Sequence, residues 1–106
     1  MTHKEFEVMF NNANIRRWQL LDRKNKEYTR GDNRFQSFDE GAAFDSSSPV
    51  HELWHGLKKH LTSIKNLVRD DESDRTNNLE IWLEKLDDAR NYLDLLEGLV
   101  RRKTMQ

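Results

Sequence analysis

The sequence contains no cysteine, one proline and four glycines among 106 residues. Without cysteine the chain has neither disulfides nor thiolate metal sites, which fits a reducing compartment, so we expect a cytoplasmic protein. The shortage of proline and glycine leaves little material for the tight turns of a β fold. No run approaches the 18 apolar residues of a membrane span, and the N-terminus MTHKEFEVMF is too polar for a signal peptide.

Basic residues are not in excess, which disfavours a general nucleic-acid binder. Charged residues make up 35% of the chain, but the formal net charge is only −1. The charges are unevenly placed: residues 1–30 hold seven Lys or Arg against four Asp or Glu, whereas residues 79–99 hold two against six. We therefore expect the first and last helices to pair electrostatically, or together to hold an anion and a cation.

The length predicts a single helical domain over residues 1–106. A domain of this size buries a low fraction of its surface. Its core is therefore small, and many of its leucine and aromatic side chains would be buried only by self-association. The expected architecture is therefore all-α, a small bundle of three to four helices that is completed by dimerisation.

The segment from Leu79 to Val100 has the strongest helical periodicity. At about 100° per residue its apolar side chains share one broad arc, as in a helix packed against a neighbour. The opposite side carries a narrow polar sector. Carboxylates one turn apart on such a sector can share a hard cation such as Mg²⁺, although a solvated face is the simpler interpretation. The apolar arc comprises Ile81, Trp82, Leu86, Ala89, Tyr92, Leu93, Leu96, Leu99 and Val100, and the polar sector comprises Glu80, Glu84, Asp87, Asn91 and Asp94.

The first helix should begin at Thr2, because Thr2-His3-Lys4-Glu5 has the form of a capping box, and should continue to about Thr29. Arg17 and Lys24 fall within its apolar stripe, which is an expensive place for an unpaired cation. They can reach the helix edge, pair with acids of the last helix, or approach a phosphate. The stripe comprises Phe6, Met9, Phe10, Ala13, Leu20, Leu21 and Tyr28.

We predict a long loop over residues 30–49, since this stretch has two glycines, three consecutive serines and the only proline. Phe35, Phe38 and Phe44 favour an ordered loop folded over other residues. Arg34 lies where such a loop could meet a base or a ribose. The phenylalanines could equally complete the core.

A further strong helix is predicted from Pro49 to Arg69, with Ser47 or Ser48 as its cap and proline in its first turn. Its expected buried face comprises Leu53, Trp54, Leu57, Leu61, Ile64, Leu67 and Val68. Near the margin of that face, His60 with Lys59 and Ser63 could form a small cluster that faces an anion. A histidine in this position is otherwise a satisfied core residue.

The same helix carries a literal H-E-x-x-H motif, His51-Glu52-Leu53-Trp54-His55, in which two histidines one turn apart can bind zinc. Catalytic zinc requires a third protein ligand. His60 is on roughly the opposite side of the helix from His51, and only Glu84 or Asp87 could replace it. The motif is therefore the less favoured interpretation.

Four short motifs resemble a known domain. They are K-x-K-E-Y (residues 24–28), R-F-x-x-F (34–38), K-H-x-x-S-I (59–64) and E-K-L-D-D-x-x-N-Y-L-x-L-L (84–96). Their layout resembles the nucleotide-modification-associated domain of phages and bacteria, which is similar to the MazG-like all-α nucleotide pyrophosphohydrolases. The resemblance implies a helical bundle, dimeric or tetrameric, that uses Mg²⁺ to cleave a nucleoside triphosphate, and it implies the host cytoplasm if a phage encodes the chain.

The resemblance carries over only in part. Glu84 and Asp87 match the E-x-x-D half of the metal motif, whereas the E-x-x-E half is replaced by G-L-K-K-H-L-T-S. Two functions follow. If the chain is an enzyme, Glu84, Asp87 and Glu80 hold Mg²⁺. Basic and polar side chains then stabilise the phosphate charge or contact the nucleotide. In the alternative, the same pocket binds a nucleotide without turnover, or the helices inhibit a host defence protein. The side chains assigned to ligand and catalysis are Arg17, Lys24, Arg34, Lys59, His60, Ser63 and Asn91.

Overall fold

The computed structural model describes residues 1–105, apart from the side chain of Tyr28, and this range contains four α-helices and no strand. The helices are α1 (His3–Tyr28), α2 (Gln36–Asp45), α3 (Pro49–Glu72) and α4 (Leu79–Thr104). The all-α prediction is confirmed. The predicted position of Tyr28 on an apolar stripe lies outside the described side chains. In the part of the chain that is described, no helix has the length and apolar character needed to cross a membrane.

Three of the helices begin at side-chain caps. Thr2, Ser48 and Asn78 each accept a hydrogen bond, of 3.1, 3.1 and 3.0 Å, from the backbone N–H three residues later. These bonds satisfy backbone donors that have no partner within the first turn of a helix. The predicted starts of α1, α3 and α4 are therefore confirmed.

The predicted loop over residues 30–49 is wrong for residues 36–45, which form α2. The sequence signal for α2 is weak, because no side chain caps its start at Phe35 and Gly41 interrupts its interior. A Cβ at Gly41 would lie 3.2 Å from Oε2 of Glu52, so α2 packs closely on α3 at this point. Packing on α3 stabilises a helix that is too short to be stable alone.

The core lies within an antiparallel hairpin formed by α3, the connection at residues 73–78, and α4. Leucines of α3 and small or apolar residues of α4 meet along its length. Leu53 is 0% exposed and Leu57 is 2% exposed. The buried apolar residues of the two helices are Leu53, Leu57, Leu67, Ala89 and Leu99.

One side of this hairpin is covered, because α2 packs on α3 and α1 packs on α4. The cover is incomplete, since all of residues 1–12 are exposed and Ala13 is the first buried residue of α1. The radius of gyration is 16.1 Å, larger than the roughly 13 Å of a compact domain of this length. The bundle is therefore elongated, and the N-terminal half of α1 is its least covered part.

Several side chains that the sequence predicted to be buried are exposed within one copy of the chain. Apart from Ile81, these exposed residues of α3 and α4 lie on the side of the hairpin that α1 and α2 leave open, where Leu93 borders α1. The exposed residues from the predicted stripe of α1 all precede Ala13. The exposed residues are Phe6, Met9, Phe10, Trp54, Leu61, Val68, Ile81, Leu93 and Val100.

Candidate functional site

Helix α1 binds the polar sector of α4 through ion pairs, which confirms the predicted pairing of the first and last helices. Arg17 Nη1 lies 2.7 Å from Asp94 Oδ2, and Lys24 Nζ lies 3.0 Å from Asp88 Oδ1. Arg16 donates two hydrogen bonds to Asp87, of 2.5 and 3.0 Å. The polar side of α4 is therefore an interface with α1 and not a fully solvated face.

The three acids predicted to bind Mg²⁺ lie in different environments, one buried and two exposed. Asp87 is buried and both of its carboxylate oxygens accept from Arg16, with Arg90 Nη1 at 3.4 Å. Glu80 and Glu84 are exposed. Among the described residues, no three His, Asp or Glu side chains are grouped to hold a metal ion. These acids do not fit a shared Mg²⁺ in this arrangement, because Arg16 would have to release Asp87. Magnesium binding stays a prediction from the sequence.

All four helices contribute to a pocket of about 270 Å³ on the covered side of the hairpin. The residues that follow α1 and the start of α2 close one end of it. Its lining combines basic, amide, aromatic and aliphatic side chains, so it has both polar and apolar walls. The lining residues are Leu21, Lys24, Asn25, Thr29, Arg34, Ser37, Phe38, His60, Asp88, Asn91, Tyr92 and Leu95.

Asp88 is the acid of this pocket, and it pairs with Lys24 and lies near His60. Its Oδ2 lies 3.9 Å from His60 Nδ1, in addition to the bond between its Oδ1 and Lys24. Burial lowers the pKa of His60 below its usual value, although the nearby Asp88 carboxylate acts in the opposite direction. His60 is therefore a neutral imidazole at pH 7, and Lys24 supplies the positive charge on this wall.

Arg34 lines the pocket and carries a hydrogen-bond donor that has no partner among the described residues. This donor, Nη1, is buried from solvent. The guanidinium carbon of Arg34 lies 5.7 Å from the ring centre of Trp18, which is a cation–π distance. A buried N–H group without a partner costs roughly 1–3 kcal/mol, and an anionic oxygen is its best acceptor.

Two aromatic rings form an apolar wall beside these cations. Phe38 packs edge-to-face on Tyr92 at 6.0 Å between ring centres, and His60 meets Tyr92 at 4.5 Å. Burial raises the pKa of the Tyr92 phenol, so its ring stays uncharged across the physiological range. A planar heterocycle could stack in such surroundings.

Of the ten side chains predicted for the site, four line this pocket: Lys24, Arg34, His60 and Asn91. The other six lie elsewhere. Lys59 is exposed, and Ser63 donates to the backbone carbonyl of Lys59 within α3. Arg17 faces a second groove between α1 and α4, and the three acids lie as described above. The structure brings together the basic part of the predicted set but not its acidic part.

Sequence reasoning missed two central residues, Asp88 and Tyr92. Asp88 lies next to the acidic sector of α4 on a helical wheel, and the signal that could have revealed it was that Lys24, on an apolar stripe, needs an acidic partner. Tyr92 was assigned to the buried arc, and it does pack against Gly56, where a Cβ would lie 2.6 Å from the tyrosine ring. The closeness of a glycine on α3 is not visible in the sequence.

The H-E-x-x-H motif lies outside the pocket. His51 and His55 are exposed, and Glu52 accepts a 2.5 Å hydrogen bond from Ser47 Oγ. Glu52 also packs against Gly41 of α2, where a Cβ would lie 3.2 Å from Glu52 Oε2. In the described part of the chain this motif anchors α2 to α3 and brings no third zinc ligand to the two histidines.

Comparisons with family models, with curated proteins and with solved structures gave no match for this chain. The MazG-like relationship therefore rests on the short sequence motifs and stays a prediction.

Proposed function

We propose that the chain binds a nucleoside monophosphate, or a ligand of the same chemistry, in the pocket on the covered side of the hairpin, without cleaving it. The observation that carries the proposal is that two cationic side chains, Arg34 and Lys24, line one pocket, and that Arg34 Nη1 has no hydrogen-bond partner among the described residues. A phosphate oxygen in the pocket would be an acceptor for the guanidinium of Arg34. The aromatic wall of Phe38 and Tyr92 would receive the base.

The charge of the pocket favours a monophosphate over a triphosphate. Lys24 and Arg34 are its two cations, Asp88 offsets one of them, and His60 is neutral. This balance suits a small anion better than the four negative charges of a nucleoside triphosphate. The volume of about 270 Å³ is also just below the roughly 300–1,000 Å³ of common ligand pockets.

Binding without hydrolysis is supported by the position of the acids. A hydrolase that uses Mg²⁺ needs carboxylates beside the phosphate to hold the metal. The pocket contains one carboxylate, Asp88, and it already pairs with Lys24. Glu84, the first acid of the predicted metal motif, is exposed.

Calorimetric titration with each nucleoside monophosphate, followed by the triphosphates, tests the proposal. We expect a saturable signal that is at least tenfold weaker in Arg34→Gln, because a charged hydrogen bond contributes roughly 1.5–3 kcal/mol. Arg30→Gln is the matched control, since Arg30 carries the same charge in the same connection and does not line the pocket. Equal weakening by both variants would show that only general charge matters.

An assay for pyrophosphate, with each triphosphate and Mg²⁺, separates binding from turnover. We expect no product. Release of pyrophosphate that is lost in Glu84→Gln would instead support the hydrolase that the sequence resemblance implies.

A further inference from the structure

The bare side of the hairpin, which α1 and α2 leave open except where α1 borders Leu93, carries two apolar stripes with a spacing of seven residues. On α3 the stripe is Trp54, Leu61 and Val68, and on α4 it is Leu86, Leu93 and Val100. Five of these six side chains are 42–53% exposed, and Leu86 is half-buried. A seven-residue repeat is the spacing of seams between packed helices.

Both stripes face the same way. On each helix the stripe is rotated by about 80° from the buried face, at 100° per residue. Since α3 and α4 are antiparallel, equal rotations turn the two stripes toward the same side of the hairpin. The pocket residues Asp88 and Leu95 are rotated in the opposite sense, which places the pocket on the covered side.

The two stripes also lie in register along the hairpin. Trp54 and Val100, Leu61 and Leu93, and Val68 and Leu86 are each the same number of residues away from Asn77 in the connection. Each pair should therefore lie at one level, which gives three apolar layers. A regular series of layers is the pattern of a helical bundle interior and not of a solvated surface.

We infer that a second copy of this chain packs its own bare side against this one, so that the two hairpins form a four-helix bundle around a two-fold axis. In this arrangement α3 of each copy lies beside α4 of the other. The inference concerns the opposite side of the hairpin from the pocket and does not depend on ligand binding.

The exposed apolar area is large enough for such an interface. The groove of about 400 Å³ between α1 and α4 adjoins the α4 stripe at Leu93, so Phe6, Met9 and Phe10, which also line this groove, continue the apolar surface of the bare side. The roughly half-exposed side chains of the stripes and of this groove offer on the order of 700 Å² per copy, close to the ~800 Å² that one partner contributes to a standard interface. The largest apolar patch of a typical monomer is only ~300–600 Å².

Charges at the edges of the stripes favour a second copy over a different partner. Lys58 and Lys65 flank the α3 stripe, both are exposed, and neither forms an ion pair among the described residues. Glu97, which pairs with Arg101 of its own helix at 2.7 Å, flanks the α4 stripe. The two-fold arrangement brings Lys58 of one copy to the level of Glu97 of the other. Opposite charges at such flanking positions set the pairing of helices.

Light scattering coupled to gel filtration, over a wide range of concentration, measures the state of the chain. We expect a species of twice 12.7 kDa that dissociates on dilution. Leu61→Glu should abolish it and leave the helical circular-dichroism spectrum unchanged. Phe44→Glu is the matched control, because Phe44 is 89% exposed on α2 and lies on the covered side. A wild-type chain that is monomeric at every concentration would overturn the inference, as would a dimer lost equally in both variants.

Cysteine cross-linking tests the register, and the absence of native cysteine removes any background. Leu61→Cys and Leu93→Cys are prepared as separate variants, mixed and oxidised mildly. We expect a covalent dimer in the mixture and little in either variant alone, because the arrangement pairs residue 61 with residue 93 of the other copy. A covalent dimer of the Leu61→Cys variant alone, with none in the mixture, would overturn this pairing of the hairpins.

Discussion

The covered and bare sides of the α3–α4 hairpin are opposite in chemistry and in burial. The covered side buries charge: Asp87 is 3% exposed beneath Arg16, and Asp88 holds Lys24 beside the pocket. The bare side exposes apolar seams such as Leu61 and Leu93. The face that a helix buries within one chain is thus not always its most apolar face. An apolar face that stays exposed in a small bundle indicates where a further chain would pack.

The largest expected effect is on the buried core that the two sides share. Leu53→Ala should lower the free energy of unfolding by about 3 kcal/mol, because Leu53 is fully buried and its loss leaves a cavity. Leu61→Ala should cost less than about 1 kcal/mol in dilute solution, where the inferred dimer dissociates. Urea unfolding measures both. Equal costs at high dilution would mean that Leu61 is packed within one copy.

The next effect separates two ion pairs of the covered side. Arg16→Ala should cost about 2 kcal/mol, because it leaves the buried Asp87 carboxylate with only Arg90 as a cation nearby. Arg17→Ala should cost less than about 1 kcal/mol, since the side chain of its partner Asp94 is 60% exposed and can hydrate. The reverse order of the two costs, in the same urea titration, would contradict the burial of charge on this side.

A smaller effect concerns the wall of the pocket. In Gly56→Ala the new Cβ would lie 2.6 Å from Tyr92 Cε2, so the ring must move. The strain of about 1–3 kcal/mol outweighs the roughly 1 kcal/mol gained from helix propensity. We expect lower stability and weaker ligand binding. Asn66→Ala, at an exposed position of α3, should be neutral or stabilising. Unchanged ligand binding in Gly56→Ala would remove Tyr92 from the site.

The smallest effect is the dependence of stability on pH. Burial lowers the pKa of His60 in the folded chain, so below about pH 6.5 the unfolded chain binds more protons. Stability should therefore fall as the pH drops below that value, and His60→Gln should remove this part of the fall. Urea unfolding of both proteins between about pH 7.5 and pH 5.5 measures it. Parallel curves for the two proteins would mean that His60 is not buried.

Much of the fold could be predicted because its helix starts are local. Thr2, Ser48 and Asn78 cap their own helices, and the hydrogen bonds involved span three residues. Helix α2 could not be predicted, since it has no capping side chain and depends on packing against α3. The uneven charge of α1 and α4 correctly predicted that these helices pair.

The candidate site was predicted only in its basic part. Lys24 was predicted because a cation on an apolar stripe needs a partner, and Arg34 because a long loop could bring it to a base or a ribose. The position of Asp87 could not be read from a helical wheel, because the wheel shows one face for all the acids of α4. Whether an acid meets a metal or an arginine depends on how α1 crosses that face, which is a tertiary property.

The measurement that tests the central claim most directly is a titration of the ¹⁵N-labelled chain with a nucleoside monophosphate, followed by amide NMR spectra. The account predicts saturable shifts at Arg34, His60 and Tyr92 on the covered side, with Trp54 and Leu61 on the bare side unaffected. Shifts that are confined to the bare side, or no shift at a saturating concentration of any of the nucleotides, would contradict it.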